Sequence, residues 1–275
     1  MTGEDSQAKD PDGFAGRTVV VKAGGELIDD DALLDGLAAD VAAVLAKRVR
    51  VVVVHGGKPQ IDRRLAATGA EPERIDGLRV TDEATVAAMR EVYQEVAERL
   101  AGALDRHGAA GAVLPGQDGL LRARPIDASQ PALRLVGAVE DVDAARLAEV
   151  IERGEAAIVS PLGRAAGEEG QALNVNADHA AAAVAGAVKA AALLLLTNVD
   201  GVRDGAGELL AELGQERYQE LKKAGVVSDG MIPKVESGLR ALADGVESCR
   251  IASGVAAAPV SAALAPDAAG TGIVA

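Results

Sequence analysis

Short β-branched runs, each followed by a longer helical pattern, constrain this chain most. Residues 18–22 (Thr-Val-Val-Val-Lys) and 50–54 (Arg-Val-Val-Val-Val) carry unbroken valine runs rather than valines alternating with polar residues. A strand of that kind is buried on both faces, which is the habit of parallel sheets. Between them, Leu33, Leu34, Leu37, Val41, Val44 and Leu45 recur at helical spacing over residues 31–47, with Asp30 placed to cap that helix. A shorter helix over 60–67 is closed by Gly69. This β-α-β-α opening predicts an α/β fold whose central, mainly parallel sheet is covered on both faces.

The alternation continues to the end of the chain. Residues 82–106 form the longest predicted helix, with a stripe at Val86, Met89, Tyr93, Val96 and Leu100 that suits either a core or a subunit contact. Residues 111–139 are richer in Gly and Pro and predict hairpins. Helices are expected at 143–153, 177–188, 214–224, 233–243 and 256–264. Strands are expected at 156–160, 191–197, 248–251 and 271–274. A soft boundary near Gly186 divides an N-terminal lobe, 17–186, from a C-terminal lobe, 187–275. Residues 1–16 are polar with mixed charge and predict a disordered leader. They contain no apolar core for a signal peptide, and no run approaches the roughly 20 apolar residues of a membrane span, so a cytoplasmic location is expected.

Composition excludes several functions. The net charge of −14 repels phosphate backbones, and two Tyr, one Phe and no Trp leave no stacking platform for nucleic acid. One cysteine, Cys249, forbids an intrachain disulfide and any multi-cysteine metal site.

Lysine is scarce, eight residues against twenty arginines, so its placement is informative. Lys22 ends the first strand and opens into Gly24 and Gly25. The second strand ends in His55-Gly56-Gly57. In open α/β sheets ligands bind beyond the carboxyl ends of the strands, and two adjacent diglycine exits there suit an anion held by backbone N–H groups. Neither loop carries the P-loop or dinucleotide fingerprint. Lys58 either adds charge to the same cradle or faces water. Asn174-Val175-Asn176-Ala177-Asp178 opens a helix with Asn176 as its natural cap. Here Asp178 serves the helix dipole, holds Lys22 and Lys234, or both. Lys234 itself follows Asp229-Gly230-Met231-Ile232-Pro233 at another helix start, where anions are favoured. Arg79 offers a two-pronged contact to a carboxylate. Residues 197–202 follow a leucine strand and offer backbone and short polar groups to a ribose or purine. His107 and His179 read as structural.

Taken together, Lys22–Gly25, Val54–Gly57, Gly77–Thr81, Asn174–Asp178, Thr197–Gly201 and Asp229–Lys234 resemble the amino acid kinase family, and within it the N-acetylglutamate kinases. The resemblance runs from about residue 18 to the end. It implies a three-layer αβα sandwich with the acceptor in the N-terminal lobe and ATP in the C-terminal lobe. It also implies transfer of a phosphoryl group from MgATP to the side-chain carboxylate of N-acetyl-L-glutamate, a step of arginine synthesis. On matched positions, Lys22 and Lys234 neutralise the phosphoryl, Asp178 orients them, and Gly24, Gly25, Gly56 and Gly57 supply backbone donors. Arg79 and Asn174 bind the acceptor. Asn198, Val199, Asp200, Gly201, Val202, Arg203, Val226, Val227, Ser228 and Ile232 line the nucleotide site. Mg2+ rides on the ATP phosphates, with no protein metal site.

Lys58 stands where the family usually has a third glycine, and 111–119 departs from a Gly-Leu-Ser-Gly-like run. The leader lacks the apolar periodicity of the helix that builds arginine-inhibited hexamers. A homodimer through the 82–106 helix, without that control, is expected. Competing readings are a kinase for aminoadipate or glutamate carried on a small protein, and a non-catalytic effector-binding protein of the same fold.

Overall fold

The computed structural model describes residues 11–69, 73–75, 78–127, 129–166, 171–228 and 230–275. Expectations placed on residues 1–10, Gly77 and Asp229 lie outside them.

Strand Thr18–Ala23 sends alternate side chains into two different cores. Val20 joins Val52, Val54, Leu193 and Leu195 on one face of the sheet. Val19 and Val21 join Val51, Val53, Leu194 and Leu196 on the other. This explains the unbroken apolar runs, since no side of these strands meets water. Each valine fully withdrawn from water contributes about 1.5–3 kcal/mol.

The sheet has eight strands. From one edge they run Gly111–Pro115, Ala156–Ser160, Arg50–His55, Thr18–Ala23, Ala192–Thr197 and Cys249–Ser253, all parallel. Thr271–Ile273 then pairs antiparallel with Cys249–Ser253, and Glu212–Leu213 closes the far edge. The mainly parallel sheet with helices on both faces is the architecture expected. The boundary expected near Gly186 falls in the last turn of helix Ala177–Ala187. Strand Thr18–Ala23 bonds to strands from both sides of that boundary, so one sheet crosses it.

Residues 111–139 do not form hairpins as a block. Gly111–Pro115 is the parallel edge strand of the main sheet. The terminal Gly and Pro disguise a short apolar run, Ala112–Leu114, that belongs beside Ala156–Ser160. Further on, Leu121–Pro125 and Val136–Val142 do pair antiparallel. With Leu162–Ala165 and Ala172–Val175 they close a small four-stranded barrel. The strand Ala172–Val175 carries Asn174, whose polar surroundings in sequence conceal its strand character.

Capping follows the sequence closely. Asp30 accepts from the backbone N–H groups of Ala32 (2.9 Å) and Leu33 (3.0 Å) at the head of helix Asp31–Ala46. Asp82 accepts from Thr85 N–H at 2.7 Å and starts the 24-residue helix Glu83–Arg106. The stripe on this helix is consumed by the chain's own core: Val86, Met89, Tyr93, Val96 and Leu100 are all buried. Helices Ala177–Ala187 and Met231–Ala243 pack together on one face of the sheet. Pro11–Phe14 forms a 3-10 turn, and Phe14 is buried against helix-covered core, so the expected leader is anchored from there rather than from residue 17. No helix among the described residues is long and apolar enough to cross a membrane.

Candidate active site

Lys22 lies two residues after Val20, so its side chain leaves the sheet on the face that carries helices Ala177–Ala187 and Met231–Ala243. Those helices bring Asp178 in the first turn of one and Lys234 in the first turn of the other. The three groups meet. Lys22 Nζ stands 3.1 Å from Asp178 Oδ1, and Lys234 Nζ donates to Oδ1 at 3.2 Å and Oδ2 at 3.0 Å. Their side chains are only 7–12% exposed.

Burial by itself raises the pKa of the Asp178 carboxyl, but the two ammonium groups outweigh it and hold the group below the usual carboxylate value. Lys234 is pushed below the ordinary lysine value, first by burial and then by Lys22, with Asp178 opposing. Two lysines thus share one carboxylate, and the three side chains are largely withdrawn from water.

The cluster forms part of the wall of a cleft of about 1010 Å³. Gly25, Gly56, Gly57, Arg79, Asn174 and Ile232 line the same cleft with Lys22, Asp178 and Lys234. Gly24 is absent from the lining and is the N-cap of the short helix Gly25–Asp29. Five of the lining residues are Lys or Arg, against two carboxylates, so the cleft is locally cationic in a chain of net charge −14. Four helix starts open on it, at Gly25, Lys58, Ala177 and Met231. Three of these are preceded by glycine and have no side-chain cap; Met231 N–H is taken by Ser228 C=O (3.0 Å), while the starts at Gly25 and Lys58 offer backbone N–H groups to an anion. The fourth is capped by Asn176, which accepts from Asp178 N–H (2.8 Å) and His179 N–H (3.3 Å).

The two diglycine loops touch. A Cβ at Gly25 would stand 2.9 Å from Gly57 Cα and from Pro59 Cδ, and one at Gly57 would stand 2.9 Å from the Tyr93 ring. Any side chain there would force the loops apart. Gln60, half-buried, donates to Gly25 C=O at 2.9 Å and ties one loop to the other.

Arg79 and Asn174 arrive from different elements and meet through Thr81. Asn174 Nδ2 donates to Thr81 Oγ1 at 3.0 Å, and that hydroxyl donates to Arg79 C=O at 2.8 Å. The Arg79 guanidinium is buried; one nitrogen donates to Asp62, while Nη1 is enclosed without a partner. A buried cationic donor left unpaired is costly, and its natural complement is an anionic oxygen. Ile61, Met89, Tyr93, Ile126 and Val136 supply an apolar wall beside it.

Sequence reading missed Asp62, Gln60 and this apolar wall. The hydrogen-bond partners of Asp62 and Gln60 lie 17 and 35 residues away in other elements, whose relative placement no local spacing encodes. The departure at 111–119 proves remote: none of those residues lines the cleft. Lys58 does.

The residues expected on the nucleotide side lie elsewhere, apart from Ile232. Asn198, Val199, Asp200 and Arg203 are exposed just past the carboxyl end of strand Ala192–Thr197, as are Val226 and Ser228. The two segments adjoin, since a Cβ at Gly205 would lie 3.7 Å from Val226 Cγ2. Val202 and Val227 are buried in the core and Gly201 is packed against Thr271, so these three have only backbone to offer a ligand.

No group of three or more His, Cys, Asp or Glu among the described residues is placed to hold a metal ion. The two carboxylates of the cleft are both engaged, Asp178 by the lysines and Glu236 by Tyr218 (2.8 Å) and Lys222 (2.7 Å).

Comparison with known proteins agrees with this geometry. The acetylglutamate kinase of Roseobacter denitrificans is 39% identical over 244 residues, covering 88% of this chain and 83% of that protein. That of Chromobacterium violaceum is 37% identical over 248 residues, covering 88% and 85%. Among solved structures, N-acetylglutamate synthase from Neisseria gonorrhoeae, complexed with coenzyme A and N-acetyl-glutamate, superposes with a TM-score of 0.84 at 28% identity over 95% of this chain; the chain spans 60% of that protein's length. The sequence pattern described as the amino acid kinase family matches residues 17–253, a span that contains every residue lining the cleft. The chain belongs to the amino acid kinase family.

Proposed function

We propose that this protein transfers the terminal phosphoryl group of ATP to the side-chain carboxylate of N-acetyl-L-glutamate, giving an acyl phosphate and ADP. The observation that carries the reading is the buried Lys22–Asp178–Lys234 cluster beside two touching glycine loops. Relatives named acetylglutamate kinase at 37–39% identity support the acceptor, as does a similar fold solved with N-acetyl-glutamate.

The chemistry asks little of acid or base groups. A carboxylate is ionised at neutral pH and attacks phosphorus directly, so no proton needs removing. The new bond joins a carboxylate oxygen to the terminal phosphorus. The bond from that phosphorus to the bridging oxygen breaks, and the electron pair leaves with ADP. What opposes reaction is repulsion between two anions and loss of orientation. Lys22 and Lys234 flank the phosphoryl and offset its charge as it passes. Asp178 holds the two ammonium groups in place. Backbone N–H groups at Gly25 and Gly57 grip its oxygens, while Gly56 N–H is spent on Ala23 C=O (2.7 Å) and Gly24 caps the first helix of the cradle. The unpaired Arg79 Nη1 takes the acceptor's α-carboxylate with Asn174 alongside, and the apolar wall accommodates its carbon chain. Exposed Val199 and Val226, with Asn198, Asp200, Arg203, Ser228 and the backbone of Gly201, Val202 and Val227, form the nucleotide's contact surface, and Ile232 reaches it from the cleft. With both cleft carboxylates engaged, the residues present fit a Mg2+ ion carried on ATP phosphates, where it would shield their charge.

The acceptor lies in the 17–186 lobe and the nucleotide in 187–275. The homodimer uses the outward side of helix Glu83–Arg106, where Arg90, Glu91, Gln94 and Glu98 are exposed, because the apolar stripe is already spent on the core. The carrier-linked alternative is disfavoured by the names of the relatives, and the non-catalytic one by the presence of both lysines with Asp178. Release of ADP measured over a panel of acylated, free and carrier-bound amino acids tests the reading. N-acetyl-L-glutamate should give the highest kcat/KM, and a preference for any other acceptor overturns it.

A further inference from the structure

Helix Lys58–Ala66 carries three cations, and the structure treats them differently. Arg63 forms a two-pronged pair with Asp29 at 2.8 and 2.5 Å. Arg64 reaches Glu91 at 2.6 Å and Glu95 at 2.7 Å. Lys58 is exposed, lines the cleft, and has no carboxylate within ion-pair distance among the described residues. It is also the first residue of the helix, where the positive end of the dipole disfavours an ammonium group. An unpaired cation at a helix start weakens the fold slightly, so its usefulness lies outside folding.

Its position indicates what it serves. Lys58 directly follows Gly57, and Pro59 Cδ is one of the atoms against which Gly25 is pressed. Lys58 therefore sits at the junction of the two glycine loops. Arg79 reaches the same helix through Asp62, one turn further on, and already has the charge a carboxylate needs.

We propose that Lys58 is a third cation for the phosphoryl group: its Nζ donates to the phosphoryl oxygens left open by the glycine cradle. This rests on the phosphoryl-transfer reading above. In this role Lys58 supplements Lys22 and Lys234 from the solvent side and remains mobile, so it can follow the group as the acyl phosphate leaves.

The test uses the full chain with Lys58→Gln and Lys58→Arg, and inorganic phosphate as a probe that needs no turnover. Loss of one charge-assisted contact should weaken phosphate binding by about 3- to 10-fold in Lys58→Gln and by less than about 2-fold in Lys58→Arg. The salt dependence of phosphate binding should flatten in the Gln variant. Its kcat should fall by about 3- to 10-fold while the acceptor KM stays within about 2-fold. Its thermal midpoint should equal or exceed that of the wild type, because the unfavourable dipole contact is gone. Unchanged phosphate affinity in Lys58→Gln overturns the proposal, as does a rise in acceptor KM alone, which would assign Lys58 to the acceptor's carboxylate. Should the wild type release no ADP with N-acetyl-L-glutamate while Lys58→Gln still loses phosphate affinity, the acceptor assignment fails and the anion contact stands.

Discussion

Asp178 and Arg64 stand at the centres of mirror-image clusters. Asp178 is one carboxylate between two ammonium groups, and all three side chains are 7–12% exposed. Arg64 is one guanidinium between two carboxylates, and its side chain is 35% exposed with Glu91 and Glu95 at 67% and 59%. The contact distances are similar; the surroundings are not. Water screens the Arg64 cluster and leaves it little energetic weight. Around Asp178 the desolvation cost is large, and removing one member leaves its partners unbalanced in a poor dielectric. The same kind of ion pairing gives a surface tie in one place and a preset electrostatic device in the other, because burial differs.

Breaking the buried cluster at its centre should have the largest effect. Asp178→Ala leaves two buried ammonium groups facing each other and is expected to lower unfolding free energy by about 3–5 kcal/mol, with turnover lost. Urea denaturation checks it, and an unchanged midpoint means the lysines find another anion. Lys22→Ala and Lys234→Ala should each reduce kcat by about 100- to 1000-fold with substrate KM values changed only a few-fold. Wild-type kcat in Lys234→Ala would remove it from the mechanism. Arg79→Ala should instead raise the acceptor KM by about 10- to 100-fold with a smaller change in kcat, since it contacts substrate in ground and transition states alike; steady-state titration of the acceptor separates the two patterns.

The pH dependence sharpens the contrast further. The folded-state pKa of Asp178 is lowered, so its contribution to stability is complete above the unfolded carboxylate value and lost as pH falls through the lower folded one. Acid loss of the cluster's contribution should therefore start at the ordinary carboxylate value and finish only below it. Lys234 is lowered too, so its folded form releases its proton before an unfolded lysine does. Between those two values stability contributed by this group rises with pH while the charge needed for catalysis disappears. A kcat profile should show an alkaline fall with a midpoint below 10.5, the ordinary lysine value; a fall only above it contradicts the assignment. The smallest effect is reserved for the exposed cluster: Arg64→Ala should leave kcat and both KM values unchanged in the same assays.

Much of this was readable in the chain itself. The apolar runs at 18–22 and 50–54 announce doubly covered strands, and Asp30, Asn176 and Gly69 mark helix ends, because both signals depend on near neighbours. Gly111–Pro115 was obscured for the same reason: its flanking Gly and Pro speak of turns, while its strand character comes from Ala156–Ser160, about 45 residues away. The stripe on Glu83–Arg106 could be seen but not assigned. A helix shows what it must bury and not what buries it.

The sequence by itself determined an α/β chain, the placement of Lys22 at a strand end and the bare glycine loops beyond it. Only the tertiary structure decided that Lys234 and Lys22 share one carboxylate, that Arg79 keeps a nitrogen unpaired, and that Lys58 rather than the 111–119 segment borders the cleft. The reason is range. Periodicity and capping are set by interactions within a few residues, whereas the energy of a charge is set by how much water the rest of the fold removes from around it.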